Sequence, residues 1–351
     1  MPPSFPIRPP LTGETLIHAS GELWLPYDLA FLDRDPADFV PLSQLRPVLN
    51  AHHAPFRLDI PAPGMLHLLN GMGVALGDSV IGLSVLDWLH RERPNLALHM
   101  YRSPHTPAYV EALYALVPWL TTHYLPCTLA DFDHGVLIDL ADFMYRPAFD
   151  RLPMIDFFLD SLGLDPARMP PVDKANRWLR QVMLPTLPEG WPRDYLLLCP
   201  DASSPLRRMP ANIAADIARE LIACGHAVLG FGALPVPGYR DISAWAVDLR
   251  HLLAALAGAT GVIATDSAPI HLAAGFDRPC LAFFMGIDPA LRVRDYPHCQ
   301  PVQLDHQARL AGLHHADTAW QLEEAAACWA AWRDALSVAM PANTFAQKYF
   351  T

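Results

Sequence analysis

The stretch Thr265-Asp266-Ser267-Ala268-Pro269-Ile270-His271-Leu272-Ala273-Ala274 decides how this chain is read. It follows the apolar run at 261–264, so the pattern predicts a buried strand whose carboxyl end turns directly into a short helix. Open α/β sheets bind ligands beyond the carboxyl ends of their strands, and the unpaired amides at a helix start attract an anionic group. A second junction of the same character, Gly77-Asp78-Ser79, stands far earlier in the chain. Two such junctions predict two sheet domains with a cleft between them.

Outward from the first junction the pattern is regular. Strands are expected at 195–199, 227–231, 262–264 and 280–284. Helices are expected at 211–224, stopped by Gly225, at 245–256 and at 317–336. Around the earlier junction the strands are 65–69, 96–101 and 135–140, and the helices are 80–93, 109–120, 154–162 and 176–183. Alternation of this kind predicts parallel sheets flanked by helices. The first 60 residues, interrupted by prolines, read as a small added module with short strands at 21–26 and 56–60. The expected fold class is therefore α/β. Its domains are an extension over 1–62, a Rossmann-like domain over 63–188 and a second over 189–351, with the break among the prolines at 185–192.

Composition narrows the function classes. The chain has 351 residues, of which 52% are hydrophobic and 17% charged, so it can bury substantial cores and is not disordered. A formal charge of -11 argues against a general nucleic-acid surface while leaving room for a local basic pocket. The six cysteines are scattered with no C-x-x-C pair, which predicts reduced core thiols and no metal cluster. The amino terminus lacks a signal-peptide pattern, and no apolar run reaches membrane-span length. A cytoplasmic protein is expected, with peripheral association at the inner face of the cytoplasmic membrane compatible with that reading.

The glycine loop Gly71-Met72-Gly73-Val74-Ala75-Leu76-Gly77 has two readings. It follows a strand, as a pyrophosphate cradle would, and Arg102 after the next strand suits a phosphorylated ribose, so an NAD(P)-dependent oxidoreductase is one alternative. Tight-turn glycines with a structural role are the other. Ser267 and His271 are close in sequence, but no G-x-S-x-G elbow accompanies them to support hydrolysis.

Four motifs carry a resemblance to a known family. They are Gly77-Asp78 before a helix, the small and basic loop Ala202-Ser203-Ser204-Pro205-Leu206-Arg207-Arg208-Met209-Pro210, the Asp266–His271 element, and the turn Phe283-Phe284-Met285-Gly286-Ile287-Asp288-Pro289. Over about residues 65–340 the chain resembles the bacterial ADP-heptose heptosyltransferases, inverting GT-B glycosyltransferases of lipopolysaccharide biosynthesis. The resemblance implies a GT-B-like pair of Rossmann-like domains and sugar transfer, heptose in the family, from a nucleotide-diphosphate donor such as ADP-heptose. The acceptor is a hydroxyl of a glycan, lipid-linked or protein partner, and neither metal nor other cofactor is implied.

Asp78 takes the place of the general base, and Arg207 that of the leaving-group stabiliser, where the family has lysine. A carboxylate suits the first role because the acceptor hydroxyl must lose its proton as it attacks, although the same residue could cap the following helix. A guanidinium suits the second because it makes several charge-assisted contacts to a diphosphate. Arg208 is the alternate for Arg207, while Ser203, Ser204, Asp266, Ser267 and His271 surround the diphosphate. Ala268 stands where the family has glycine. A noncatalytic nucleotide-sugar-binding protein is the remaining alternative. The sequence leaves the oligomeric state open.

Overall fold

The computed structural model describes residues 13–29, 36–60, 63–132 and 134–339. These divide into two compact units, Met1–Pro170 and Pro171–Thr351. No helix among the described residues is long and apolar enough to cross a membrane.

The amino unit holds two sheets. Strands β1 (Leu16–His18) and β2 (Glu22–Trp24), helix α1 (Pro26–Leu29) and strand β3 (Phe39–Pro41) come from the first 60 residues. They are followed by β4 (Gly64–Leu69), α2 (Leu76–Glu92), β5 (Leu96–Arg102), α3 (Ala108–Tyr114), β6 (Leu120–Tyr124), β7 (Cys127–Thr128), β8 (Val136–Asp139) and α4 (Met154–Ser161). The parallel sheet runs β6-β5-β4-β8, which is third, second, first, fourth of a mononucleotide-binding half. The antiparallel sheet runs β3-β1-β2-β7, so residues from beyond β6 complete what the amino terminus begins. The two sheets share a core. Ile17 and Leu23 of the first, with Leu25 and Leu42 beside it, pack with Leu69, Tyr101 and Leu137 of the second and with Phe132 from the turn after β7.

The carboxyl unit is one six-stranded parallel sheet. Its elements are β9 (Tyr195–Cys199), α5 (Ala211–Ala223), β10 (Ala227–Gly230), β11 (Tyr239–Asp241), α6 (Leu249–Gly258), β12 (Gly261–Thr265), α7 (Ala268–Gly275), β13 (Cys280–Phe284), α8 (Ala290–Val293), β14 (Cys299–Gln303) and α9 (Ala319–Ala339). The order β11-β10-β9-β12-β13-β14 is the third-second-first-fourth-fifth-sixth order of a dinucleotide-binding sheet. Strands β9, β12 and β13 are buried along their whole length, as parallel strands covered on both faces must be. Helix α5 lays Ile213, Ile217 and Leu221 on one face, and Trp329 of α9 packs on the ring of Phe283 at 5.1 Å.

Several sequence expectations shift. Residues 56–60 form no strand, and 176–183 is a short 3-10 turn over Arg177–Gln181 rather than a helix. The helix expected over 109–120 ends at Tyr114 because the chain turns into edge strand β6. The helix expected from 245 begins at Leu249, where Asp248 accepts the His251 amide at 3.0 Å and caps it. Strands β11 and β14 were not anticipated.

Candidate functional site

The carboxyl unit's strand order reverses between β9 and β12, which are paired neighbours. A doubly wound sheet opens its ligand crevice at that point, because the two following connections leave toward opposite faces. The loop after β9 carries Asp201 to Met209, and the loop after β12 carries Asp266 and Ser267 into α7. All seven sequence-assigned donor-side residues lie on these two loops or on the first turn of α7, and Ser203, Ser204, Arg207, Asp266, Ser267 and His271 are six of them. The seventh, Arg208, extends outward on the β9 loop and pairs with exposed Asp201 at 3.1 Å.

Arg207 ties the loops together. Its Nη1 donates to the Asp266 carbonyl at 3.0 Å and approaches Oδ2 at 3.3 Å, and its Nη2 donates to Ser203 Oγ at 3.0 Å. The Arg207 side chain is 19% exposed and that of Asp266 4%, so the pair is held at the edge of solvent. Arg207 Nε has no partner among the described residues, and neither has the fully buried Ser204 Oγ. Buried donors without acceptors are costly, and an incoming oxyanion would satisfy them. The Asp266 amide is fixed by the Phe283 carbonyl at 2.8 Å, which sets the loop's exit from the sheet.

His271 lies on the buried side of α7. Asn176 Nδ2 donates to Tyr296 Oη at 2.8 Å and to the His271 carbonyl at 3.0 Å, while Tyr296 Oη lies 2.9 Å from His271 Nδ1. Tyr296 Oη thus bridges Asn176 and the imidazole and fixes the ring's position. Burial pushes the His271 pKa down to about 4. The Asp266 charge opposes the shift, and the charges of Arg292 and Arg207 assist it. The ring is therefore neutral at physiological pH. Ser267 Oγ donates to the Thr265 carbonyl at 3.1 Å and His271 Nδ1 faces tyrosine, so the two do not form a nucleophile–base pair.

Sequence reasoning missed Tyr296, Asn176 and His315. Partial burial lowers the pKa of His315, and the positive charges of Arg207 and His314 lower it further. The two arginines of the β9 loop are matched by Asp266 and Asp201. Asp241, at the end of the unforeseen β11, accepts the Gly232 amide at 3.1 Å and brings a carboxylate beside the turn after β10.

In the amino unit, Asp78 is the third residue of α2, half-exposed, on the turn that leaves β4 at that sheet's own switch between β4 and β8. The helix starts at Leu76, so Asp78 sits within the first turn rather than at the cap. A carboxylate there is favoured by the helix dipole. Nearby Tyr114 has its hydroxyl pushed up to about 12, chiefly by burial, with the negative charges of Glu111 and Asp78 adding to it.

The glycine loop before Asp78 is explained by packing. A Cβ on Gly71 would lie 2.6 Å from Met100 Cγ, and Gly73 takes φ +65. Arg102 is 1% exposed and forks onto both Glu111 oxygens, at 2.6 and 2.5 Å, so it is already committed and unsuited to a ribose phosphate. Among the described residues no cluster of His, Cys, Asp and Glu forms a metal site.

Residues 245–304 match the family model for glycosyltransferase family 9 (heptosyltransferase), a stretch running from the approach to α6 through β14 and including the Asp266–His271 loop and Tyr296. With two Rossmann-like units in one chain, the class is a GT-B-fold protein carrying the family 9 glycosyltransferase element. The glycosyl transferase family 9 protein from Veillonella parvula is similar in fold, with TM-score 0.51 at 14% identity over 78% of this chain and 99% of that one. The E. coli heptosyltransferase WaaC, solved with ADP, gives TM-score 0.46 at 14% identity over 76% and 99%. The dodecameric iron-containing heptosyltransferase TibC, solved with ADP-D-beta-D-heptose, gives 0.48 at 13% identity over 80% of each chain. No curated protein matches the sequence.

Proposed function

We propose that this chain transfers a sugar from a nucleotide-diphosphate donor to an acceptor hydroxyl, with inversion at the anomeric carbon. The observation that carries this reading is the gathering of Ser203, Ser204 and Arg207 on the loop after β9 and of Ser267 and His271 at the start of α7, either side of the β9–β12 switch point, with the last two inside the family 9 stretch. These groups are donors, and donors at a helix start are what a departing diphosphate requires.

In the reaction, the Asp78 carboxylate takes the proton of the acceptor hydroxyl as that oxygen attacks the anomeric carbon. The bond from that carbon to the diphosphate oxygen breaks, and the negative charge left on the nucleoside diphosphate is met by Arg207, the loop hydroxyls and His271. Asp266 holds Arg207 in place rather than touching phosphate, since like charges repel. A general base contributes roughly 10²–10⁴-fold. Preorganised donors at the leaving group contribute about 3 kcal/mol apiece where they act.

The proposed donor is ADP-heptose or another nucleotide-diphosphate sugar, and the acceptor a glycan, lipid-linked or protein hydroxyl reached from the cytoplasm or the inner membrane face. No step of this scheme draws on a metal. Incubation with a panel of nucleotide sugars, with nucleotide release and acceptor mass followed together, tests the reading. Acceptor-dependent release of a nucleoside diphosphate supports it. Binding of donors with no transfer to any cell-envelope acceptor would instead favour a nucleotide-sugar-binding protein.

A further inference from the structure

The amino unit contains a second group of buried polar residues that this transfer scheme does not use. Residue Leu49 lies beside β8 as a parallel bridge, its amide donating to Leu137 at 2.9 Å and its carbonyl accepting from Asp139 at 2.9 Å. The chain thereby builds a wall at the carboxyl end of β8, on the ligand-binding edge of the sheet. Asp139 is 1% exposed and accepts from Thr15 N at 2.5 Å, Thr15 Oγ1 at 2.9 Å and Ala141 N at 2.9 Å. Asp142 sits at φ +54 and accepts the Gly13 amide at 3.0 Å. Arg146, 3% exposed, donates through Nη2 to the carbonyls of Ala141 at 2.8 Å and Asp139 at 3.1 Å. Its Nε and Nη1 have no partner among the described residues. A buried charged cluster with unpaired donors and a left-handed non-glycine residue marks a place where structure is strained for a purpose other than stability.

Against this cluster lies a cavity of about 330 Å³, at the small end of the range for ligand sites and sized for a single ring. Asp139 contributes to its lining, and Leu49, Pro55 and Phe56 give it an apolar wall. Glu14 supplies a carboxylate whose oxygens are oriented by Ser43 Oγ at 2.9 Å and His53 Nε2 at 2.8 Å. The chemistry selects against negative charge. An anion would meet Glu14 and Asp139, and the Arg146 guanidinium behind offsets Asp139 rather than adding a net positive field. An apolar wall facing oriented hydroxyl, imidazole and carboxylate groups suits a ring with C–H faces and several hydroxyls.

We propose that this pocket binds one neutral, hydroxyl-rich ring of the acceptor, a sugar residue free of phosphate and carboxylate at that position. The word acceptor rests on the transfer reading above; the pocket's preference for neutral sugars does not.

Saturation-transfer NMR on the full chain tests the pocket with methyl β-glucoside, methyl β-galactoside and methyl α-mannoside, and with glucuronate as the anionic counterpart. Ala54 is exposed on the rim, so Ala54→Trp fills the cavity without entering the core. Glu14→Gln removes the charge with little change of shape. At least one neutral glycoside is expected to give a signal that falls five-fold or more in Ala54→Trp and weakens in Glu14→Gln, with glucuronate silent and ADP titrations unchanged in both variants.

Absence of any variant-sensitive signal from the neutral glycosides overturns the proposal. So does a variant-sensitive signal from glucuronate as strong as the neutral ones. If neutral glycosides bind as expected while no nucleotide sugar is ever turned over, the pocket stands and the transfer reading fails. If transfer proceeds with an acceptor KM unmoved by Ala54→Trp, the assignment of the pocket to the acceptor is wrong. The expected result is an acceptor KM raised tenfold or more with kcat nearly kept.

Discussion

Acidification isolates His271. Its imidazole titrates at about 4 in the folded chain against an ordinary 6.5, so between those values the unfolded chain binds a proton that the folded one refuses. Stability rises with pH wherever the unfolded state holds more protons, so this group costs nothing above pH 7 and an increasing amount as the pH falls. At about 1.4 kcal/mol per pKa unit, the full penalty is about 3 kcal/mol below pH 4, and about 2 kcal/mol is already present at pH 5.

The assay is urea unfolding of the wild type and of His271→Gln at pH 7.5 and pH 5, followed by a signal from the carboxyl unit. Comparing the two proteins cancels the other titrating groups. The wild type should lose about 2 kcal/mol more than the variant across that interval. An NMR titration of the wild-type imidazole checks the same point directly and should show no protonation above pH 5.5. Parallel pH dependences in the two proteins, or an imidazole that titrates near 6.5, would refute the buried neutral imidazole.

Three other outcomes are expected. Asp78→Asn should lower transfer by roughly 10²–10⁴-fold while the melting temperature stays within a few degrees, and near-normal turnover by purified variant would remove Asp78 from the base role. Arg207→Ala should weaken nucleotide binding by roughly ten- to a hundred-fold, since a hydrogen bond to a charged group contributes about 1.5–3 kcal/mol, and calorimetry with ADP would measure it. Gly286→Ala should destabilise the carboxyl unit severely, because a Cβ there would lie 2.5 Å from the Leu310 carbonyl and 2.8 Å from that of Leu313. A soluble Gly286→Ala protein with unchanged thermal unfolding would contradict the turn geometry.

Much of the architecture was legible because fully buried parallel strands announce themselves as short apolar runs. β9 and β13 fall where the pattern placed them, at Tyr195–Cys199 and Cys280–Phe284. Edge strands do not announce themselves. β11 reads Tyr-Arg-Asp, one half-buried tyrosine and two exposed charges, and β14 carries Pro301, which an edge tolerates and a central strand does not. β6 is half-exposed, and only its first residue, Leu120, falls within the helix expected over 109–120.

The site followed the same divide. Asp266, Ser267 and His271 were visible because a strand running straight into a helix is a local pattern. Tyr296 and Asn176 orient His271 from 25 and 95 residues away in sequence, through contacts that only the folded sheet creates. The pairing of Arg207 with Asp266 was hidden for the same reason.

Strand β7 carries a consequence for how this chain could be shortened or borrowed. Two residues from the interior of the polypeptide, Cys127 and Thr128, stitch themselves to the outer rim of a ribbon begun at Leu16. A version that started near Met65 would strip Ile17, Leu23, Leu25 and Leu42 from the faces of Tyr101, Phe132 and Leu137, at a cost of roughly 2 kcal/mol for each aliphatic side chain withdrawn. It would also leave the Cys127–Thr128 rung dangling. Relatives without such a preface must therefore clothe that side of their own sheet by different means, and grafting the preface onto them would require transplanting the rung as well.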